Sequence, residues 1–128
     1  MNKICTDLIQ SKKLIELGVD VNTADMWYQH IGYSITDGKE KPKYFPMVIR
    51  DNISNEDIPA WSLSALLEFV PNGEKNDENY VDTESHSDFY ICTYRNCWDG
   101  CIHSEYSKEN LFDAVFGMIC WLKENNKI

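Results

Sequence analysis

Four side chains that commonly ligate metals lie close together in the sequence: Cys92, Cys97, Cys101 and His103. Thiolate and imidazole are the usual zinc ligands, but the spacing C-x4-C-x3-C-x-H is not that of the common zinc motifs. In the hairpin that we expect here, Cys97 and Cys101 point to opposite faces. Cys92 then lies roughly 20 Å along the strand from Cys101, at about 3.4 Å per residue. We therefore expect reduced structural thiols and no metal site.

Two histidines have carboxylates near them in the sequence and are the candidates for acid–base chemistry. His103 and Glu105 are two residues apart on one face of an expected strand, so Glu105 could orient the imidazole as a general base. His86 has three acidic neighbours that could help it bind a cation: Asp82, Glu84 and Asp88. The sequence contains no G-x-S-x-G, H-E-x-x-H, G-x-G-x-x-G or phosphate-loop motif. Solvent-facing histidines are the simpler interpretation, so we expect no catalytic residue and no cofactor, with a histidine–carboxylate enzyme as the alternative.

Aromatic residues alternate along the same segment. Period-two alternation puts three of them on one face: Tyr90, Tyr94 and Trp98. Together with Trp27 and Tyr28 they could form an exposed apolar surface, and such surfaces serve as partner or self-association sites. The pattern equally allows this face to be the core, with Phe89 and Ile91 outside. The sequence leaves both arrangements open.

The net charge of −9 is concentrated in the middle of the chain. Residues 51–110 carry a net charge of −10, whereas residues 1–50 carry +1. A segment this acidic repels nucleic acid, and the basic clusters at residues 12–13 and 39–43 are short. We therefore expect no nucleic-acid partner.

The sequence also carries indications of the compartment. The longest nearly apolar run, residues 114–122, is far below the roughly 20 residues that span a bilayer. Residues 1–17 lack the apolar run of a secretory signal. The five cysteines are odd in number and irregularly spaced, which suits a reducing compartment. We expect a cytoplasmic protein with no membrane partner.

Three helices are predicted from apolar spacing and capping residues. The segment NLFDAVFGMICWLKEN, residues 110–125, has apolar residues at helical spacing and an N-cap at Asn110. An earlier helix is expected from an N-cap at Thr6 to Leu17, and a short one at residues 62–69.

Strands are predicted at residues 26–35 and 45–50, where Pro46 indicates either an edge position or a strand that begins after it. Three segments are expected to be loops: residues 39–43, 51–59 and 71–87. A hairpin is expected over residues 88–106 because Asp99-Gly100 is a strong turn signal. That turn predicts three facing pairs: Trp98 with Cys101, Asn96 with His103, and Tyr94 with Glu105.

This order of elements predicts an α+β fold within a single domain, residues 1–128. We expect an antiparallel sheet of three to five strands, with about three helices packed largely on one face.

Three blocks of the sequence carry a resemblance: SKKLIELGVDVNTADM at residues 11–26, PAWSLSALL at residues 59–67, and DAVFGMICWLKEN at residues 113–125. In this order and spacing the chain resembles a group of short proteins found in gut-dwelling bacteria and their phages or mobile elements. No activity or catalytic residue of that group carries over. The resemblance implies only a mobile-element setting.

Taken together, these observations favour a small non-enzymatic interaction protein that uses its aromatic sheet face to bind a protein partner or a second copy of itself. The acidic middle segment suggests a variant of this hypothesis, an inhibitor that presents its acids to a basic partner. This variant predicts binding that weakens as salt is added.

Overall fold

The strands in the described part of this protein form two three-stranded sheets. The structure, a computed structural model, describes residues 4–48, 57–71 and 78–128. It divides into two compact units, Met1–Ala65 and Leu66–Ile128. Both sheets are antiparallel, and the described residues contain three α-helices, so the predicted α+β class is confirmed. The prediction of one domain over residues 1–128 stays a prediction.

The first unit begins with helix α1, Leu8–Glu16, whose N-cap is Asp7. Asp7 Oδ1 accepts a hydrogen bond from the Gln10 backbone N–H at 2.8 Å, and the Gln10 side chain accepts one from the Asp7 N–H. The predicted cap at Thr6 is wrong because the Thr6 side chain is buried and used elsewhere. Its Oγ1 lies 2.7 Å from the Ser11 hydroxyl and accepts from the Trp61 N–H at 3.1 Å.

The sheet of the first unit has the order β2-β1-β3. Its strands are β1, Met26–Thr36, β2, Lys39–Val48, and β3, Ile58–Ala60. The predicted edge position of Pro46 is confirmed, since β2 is an outer strand. The loop expected at residues 39–43 is wrong: all five residues pair with β1 despite their charge. Of the loop expected at residues 51–59, residues 58–59 belong to β3 and residues 51–56 lie outside the described part.

Trp61 is the largest fully buried side chain of this unit. Its indole N–H donates to Thr23 Oγ1 at 3.0 Å, and its backbone C=O accepts from the Thr6 N–H at 2.9 Å. Because every polar group named here has a partner, the aromatic ring is buried without an unsatisfied donor. Helix α2, Leu63–Leu67, follows directly.

The second unit packs helix α3, Leu111–Glu124, against the sheet β4-β5-β6. Its strands are β4, Asn79–Ser85, β5, Tyr90–Asn96, and β6, Ile102–Lys108. The predicted N-cap is confirmed, as Asn110 Oδ1 accepts from the Asp113 N–H at 2.8 Å. Six apolar residues of α3 are buried: Phe112, Ala114, Val115, Met118, Ile119 and Leu122. None of the helices in the described ranges is long and apolar enough to cross a bilayer.

Two sequence predictions fail in this sheet. Residues 79–85, expected to be loop, form β4; residues 72–77 of the same expected loop lie outside the described part. The β5–β6 connection covers residues 97–101 and is therefore longer than a two-residue turn. Within it, Asn96 Oδ1 accepts hydrogen bonds from the N–H groups of Trp98 and Asp99 at 2.9 and 3.1 Å. The predicted facing pairs are therefore wrong. Tyr94 faces Ser104, Thr93 faces Glu105, and the register shifts between Tyr94 and Arg95.

Candidate functional site

The aromatic residues predicted for binding do not share one exposed face in the second unit. Tyr94 is only 5% exposed, and its ring centroid lies 5.8 Å from that of Trp121 on α3. Tyr90 is half-buried. Trp98 is 81% exposed, but it lies in the β5–β6 connection rather than on the sheet. The α3-facing side of β5 is thus the core, which was the other arrangement that the sequence allowed.

The two predicted aromatic residues of the first unit are half-buried at the base of the β1–β2 hairpin. Tyr28 Oη donates to the Thr6 C=O at 2.8 Å, and Cys5 Sγ lies 3.6 Å from the same Oη. Burial, followed by the Cys5 contact, raises the pKa of Tyr28 above its ordinary value. Trp27 faces Met47 in the register with β2. Tyr28 is therefore held in structural contacts, and a role of either residue in binding stays a prediction.

Exposed apolar side chains are found farther along the same hairpin. We call residues 29–45 the arm, because the described part of the chain pairs β3 with β1 only at Met26, Trp27 and Tyr28. Four apolar side chains of the arm are more than half exposed: Ile31, Tyr33, Ile35 and Phe45. The sequence prediction did not single them out, although the β-branched and aromatic composition of residues 26–35 was the signal that could have done so.

One face of the arm carries a cluster of rings. The His30 ring contacts Tyr33 at a centroid distance of 4.8 Å and Tyr44 at 5.5 Å, both edge-to-face. His30 and Tyr33 would lie on opposite faces in a regular strand. The register shift between His30 and Gly32 inserts Ile31 as an extra residue and brings them to the same face.

The turn of the arm determines which backbone groups point outward. Asp37 and Gly38 both have positive φ, 53° and 74°, as a two-residue type I′ turn requires. The flanking Thr36–Lys39 pair is then hydrogen-bonded, and bonded and non-bonded pairs alternate from it. Tyr33 and Ile35 fall at non-bonded positions, so their N–H and C=O groups point away from β2.

The two edges of the arm differ. On the β2 edge, Pro42 stands opposite Tyr33 and has no N–H to offer, and the same holds for Pro46, which faces Tyr28 just outside the arm. On the β1 edge, the His30 N–H donates to Asp57 Oδ1 at 2.9 Å. Beyond that point no strand within residues 4–48, 57–71 and 78–128 pairs with the β1 edge. The β1 edge is the one that can accept a further strand.

His103 lies in a cleft of the second unit, without its expected carboxylate. Its Nε2 is 3.1 Å from Asn79 Oδ1, and its ring centroid is 5.7 Å from that of Tyr94. The prediction that His103 and Glu105 share a face is wrong because the β-bulge comes between them. Glu105 pairs with Thr93, on the face opposite Tyr94. The cleft has a volume of about 330 Å³ and is also lined by Trp121, Asn125 and Lys127.

The second candidate histidine lies at the β4–β5 turn. His86 Nε2 is 3.4 Å from Glu84 Oε1, and its ring stacks on Phe89 at 4.5 Å. Asp82, which was expected near His86, instead lies 3.8 Å from Arg95 Nη2. His86 and Glu84 form an exposed pair at the surface of the turn.

The cysteines expected to be structural thiols differ in exposure. Cys92 is fully buried, whereas Cys97 and Cys101 are exposed in the β5–β6 connection. Burial, with a further contribution from the charge of Asp82, raises the pKa of Cys92 to about 12. Within the described ranges, no group of three or more His, Cys, Asp or Glu side chains could hold a metal ion.

Compared with protein-family models, with curated proteins and with solved structures, the chain matches none.

Proposed function

We propose that this protein is a cytoplasmic, non-enzymatic interaction protein whose arm binds an extended protein segment by adding it as a strand to the β1 edge. The observation that carries the proposal is the pair of outward-pointing residues Tyr33 and Ile35, on an edge that no described strand covers. Strand addition takes its affinity from main-chain hydrogen bonds and its specificity from alternate side chains. The main-chain N–H and C=O groups of both residues point outward, and Tyr33 and Ile35 are 56% and 80% exposed.

The composition of β1 supports this assignment. Natural edge strands are protected from pairing by charged side chains, prolines or bulges. Strand β2 has two prolines and four charged residues, whereas Met26–Thr36 contains no Asp, Glu, Lys, Arg or Pro. Its bulge lies at Ile31, before the outward residues. The stretch from Gly32 to Thr36 is thus the unprotected part of the arm.

Peptide selection tests this proposal and does not require the partner to be identified. A library of displayed extended peptides would be selected on the full chain, and each selected peptide would be titrated against two variants. Ile35→Pro removes the outward N–H of the β1 edge. Glu40→Pro, at the facing position of β2, removes an outward N–H from the other edge and is the matched control.

We expect selected peptides to bind the wild type and Glu40→Pro equally and Ile35→Pro at least about tenfold more weakly, because a main-chain hydrogen bond and its neighbours are lost. Amide NMR signals of Tyr33 and Ile35 should shift on binding. Failure to select any peptide, or equal binding to Ile35→Pro, would contradict the proposal.

A second candidate function is the binding of a small molecule in the cleft at His103. The aromatic rings of Tyr94 and Trp121 beside the imidazole and two amide side chains support it. Small aromatic carboxylates should give saturation-transfer NMR signals that are lost in His103→Ala. Signals of equal strength with this variant would exclude binding at His103.

A further inference from the structure

We infer that the segment added to the β1 edge is the same edge of a second copy of this chain, paired antiparallel with its two-fold axis at Ser34. The inference rests on the proposed strand addition and specifies its partner. In a homodimer of this kind the same surface serves both subunits, so the edge must be complementary to itself.

The hydrogen-bonding groups of the edge meet this requirement. A two-fold axis at Ser34 places Tyr33 of each copy opposite Ile35 of the other copy, which gives two such pairs. Both residues present an outward N–H and C=O, so each of the two pairs exchanges two hydrogen bonds. An axis at Ile35 would instead bring Tyr33 opposite Asp37, which belongs to the turn and has a φ of 53°. The axis at Ser34 thus satisfies all the outward groups of Tyr33 and Ile35.

The side chains agree with the same register. Tyr33 and Ile35 lie on one face of β1, so each Tyr33 ring would cover the Ile35 side chain of the other copy. Aromatic and β-branched residues are favourable cross-strand neighbours. On the opposite face the two Ser34 side chains meet, and these are small enough to face each other.

The charges of the arm itself do not oppose the pairing. Strand β1 contains no Asp, Glu, Lys or Arg, and the charges of the arm lie on β2 and the turn. In the dimer each β2 is separated from the other by both β1 strands, about 14 Å in all. That distance exceeds the Debye length of about 8 Å at physiological ionic strength. The lysines of the two arms are therefore well screened from each other.

The stability of the arm favours a second copy as the source of the added strand. Among the described residues, each arm beyond Tyr28 has two paired strands, and two-stranded ribbons are marginally stable in water, whereas sheets of three or more strands are stable. Pairing two arms produces a continuous four-stranded antiparallel sheet. Each copy thus gains the support that its own arm lacks.

Sedimentation velocity on the full chain tests the inference. We expect a dimer fraction that rises over about 10 µM to 1 mM, since an interface of this small size is weak. Ile35→Pro should raise the dimer Kd about 100-fold, because two of the four hydrogen bonds and their side-chain contacts are lost. Glu40→Pro should leave the Kd unchanged, and circular dichroism should show the same fold for both.

The outcomes separate this inference from the proposed function. A wild type that stays monomeric up to 1 mM, while selected peptides still bind the Tyr33–Ile35 edge, would overturn the homodimer and leave strand addition intact. A dimer unaffected by Ile35→Pro would overturn the β1 edge as its interface. A dimer lost in Ile35→Pro and kept in Glu40→Pro would support both.

Cross-linking tests the register independently of any proline. In a Cys97→Ser, Cys101→Ser background, Ser34→Cys should form an intermolecular disulfide on mild oxidation. The facing Cα atoms would be about 4.5 Å apart, within the range of about 4.4–6.8 Å for disulfides. The matched control is Lys41→Cys, which faces Ser34 across the arm and would lie about 14 Å from its counterpart. Equal cross-linking of both variants would overturn the register.

Discussion

At the scale of the residue, Cys92 differs from Cys97 and Cys101 of the β5–β6 connection because it is buried on the α3 side of β5. Its pKa of about 12 leaves, at pH 8.5, a thiolate fraction about a thousandfold below that of an ordinary thiol. Since the thiolate is the reactive form, iodoacetamide should label Cys97 and Cys101 and leave Cys92 unmodified, as mass spectrometry of peptides would show. Unfolding in guanidinium is the control and should make all three reactive. Labelling of Cys92 at the rate of Cys97 in the folded protein would contradict its burial.

The raised pKa of Cys92 also makes the free energy of unfolding depend on pH. The pKa of Cys92 is raised by folding, so the folded state retains a proton that the unfolded state loses as pH rises. Below the ordinary thiol pKa, Cys92 therefore does not change the free energy of unfolding. As the pH rises from about 9 to about 12, Cys92 lowers the free energy of unfolding.

Helix α3 lies close to the Tyr106 ring of β6 at Gly117. A Cβ added there would lie 2.9 Å from Cδ1 of the Tyr106 ring and 3.3 Å from Cε1 and Cγ. Alanine should gain about 1 kcal/mol in helix propensity, but overpacking typically costs about 1–3 kcal/mol. We expect Gly117→Ala to lower the free energy of unfolding by about 1 kcal/mol in urea denaturation.

A double-mutant cycle provides the control for Gly117→Ala. In a Tyr106→Ala background the ring is absent, so the same substitution should raise the free energy of unfolding instead. The same loss in both backgrounds would exclude the contact with Tyr106 as the cause.

At the scale of the element, the bulge of the arm depends on Gly32, which has a φ of +132°. Apart from its chain neighbours, no atom of the described residues lies within 4 Å of the position of an added Cβ, so we expect Gly32→Ala to act through backbone strain, about 1–3 kcal/mol. Local stability should fall accordingly, and the amide of Ser34 should exchange its hydrogen about 5- to 150-fold faster. Ser34→Ala is the matched control in the same strand and should leave exchange nearly unchanged. Equal exchange in the wild type and Gly32→Ala would show that the bulge carries no strain.

The elements that the sequence predicted correctly are those with strong apolar patterns or caps. Helix α3 has both, and strand β1 has a long β-branched and aromatic run. The strands missed at residues 39–43 and 79–85 are outer strands of their sheets, rich in charged residues. Their pairing is determined by the neighbouring strand rather than by their own composition, so no local pattern could reveal them.

The prediction of the candidate site from the sequence failed for a related reason. The Asp99-Gly100 signal suggested a two-residue turn, but the Asn96 side chain binds two backbone N–H groups of the connection and lengthens it. That change, together with the bulge at His103, alters which residues face each other. The predicted aromatic surface and the His103–Glu105 pair both depended on unbroken period-two alternation. The longer connection ends that alternation before Trp98, and the bulge interrupts it at His103.

At the scale of the whole molecule, salt distinguishes pairing of the arms from binding of a basic partner by the acidic segment. Each copy carries a net charge of −9, so two copies repel each other at long range, and added salt screens this repulsion. The dimer Kd should therefore stay the same or fall by up to about threefold between roughly 50 and 500 mM NaCl, measured by sedimentation velocity. Glu40→Pro, which removes one acid and keeps the β1 edge, should show the same dependence. An association that weakens tenfold over this range would contradict pairing through the uncharged β1 edge and would favour attraction between opposite charges.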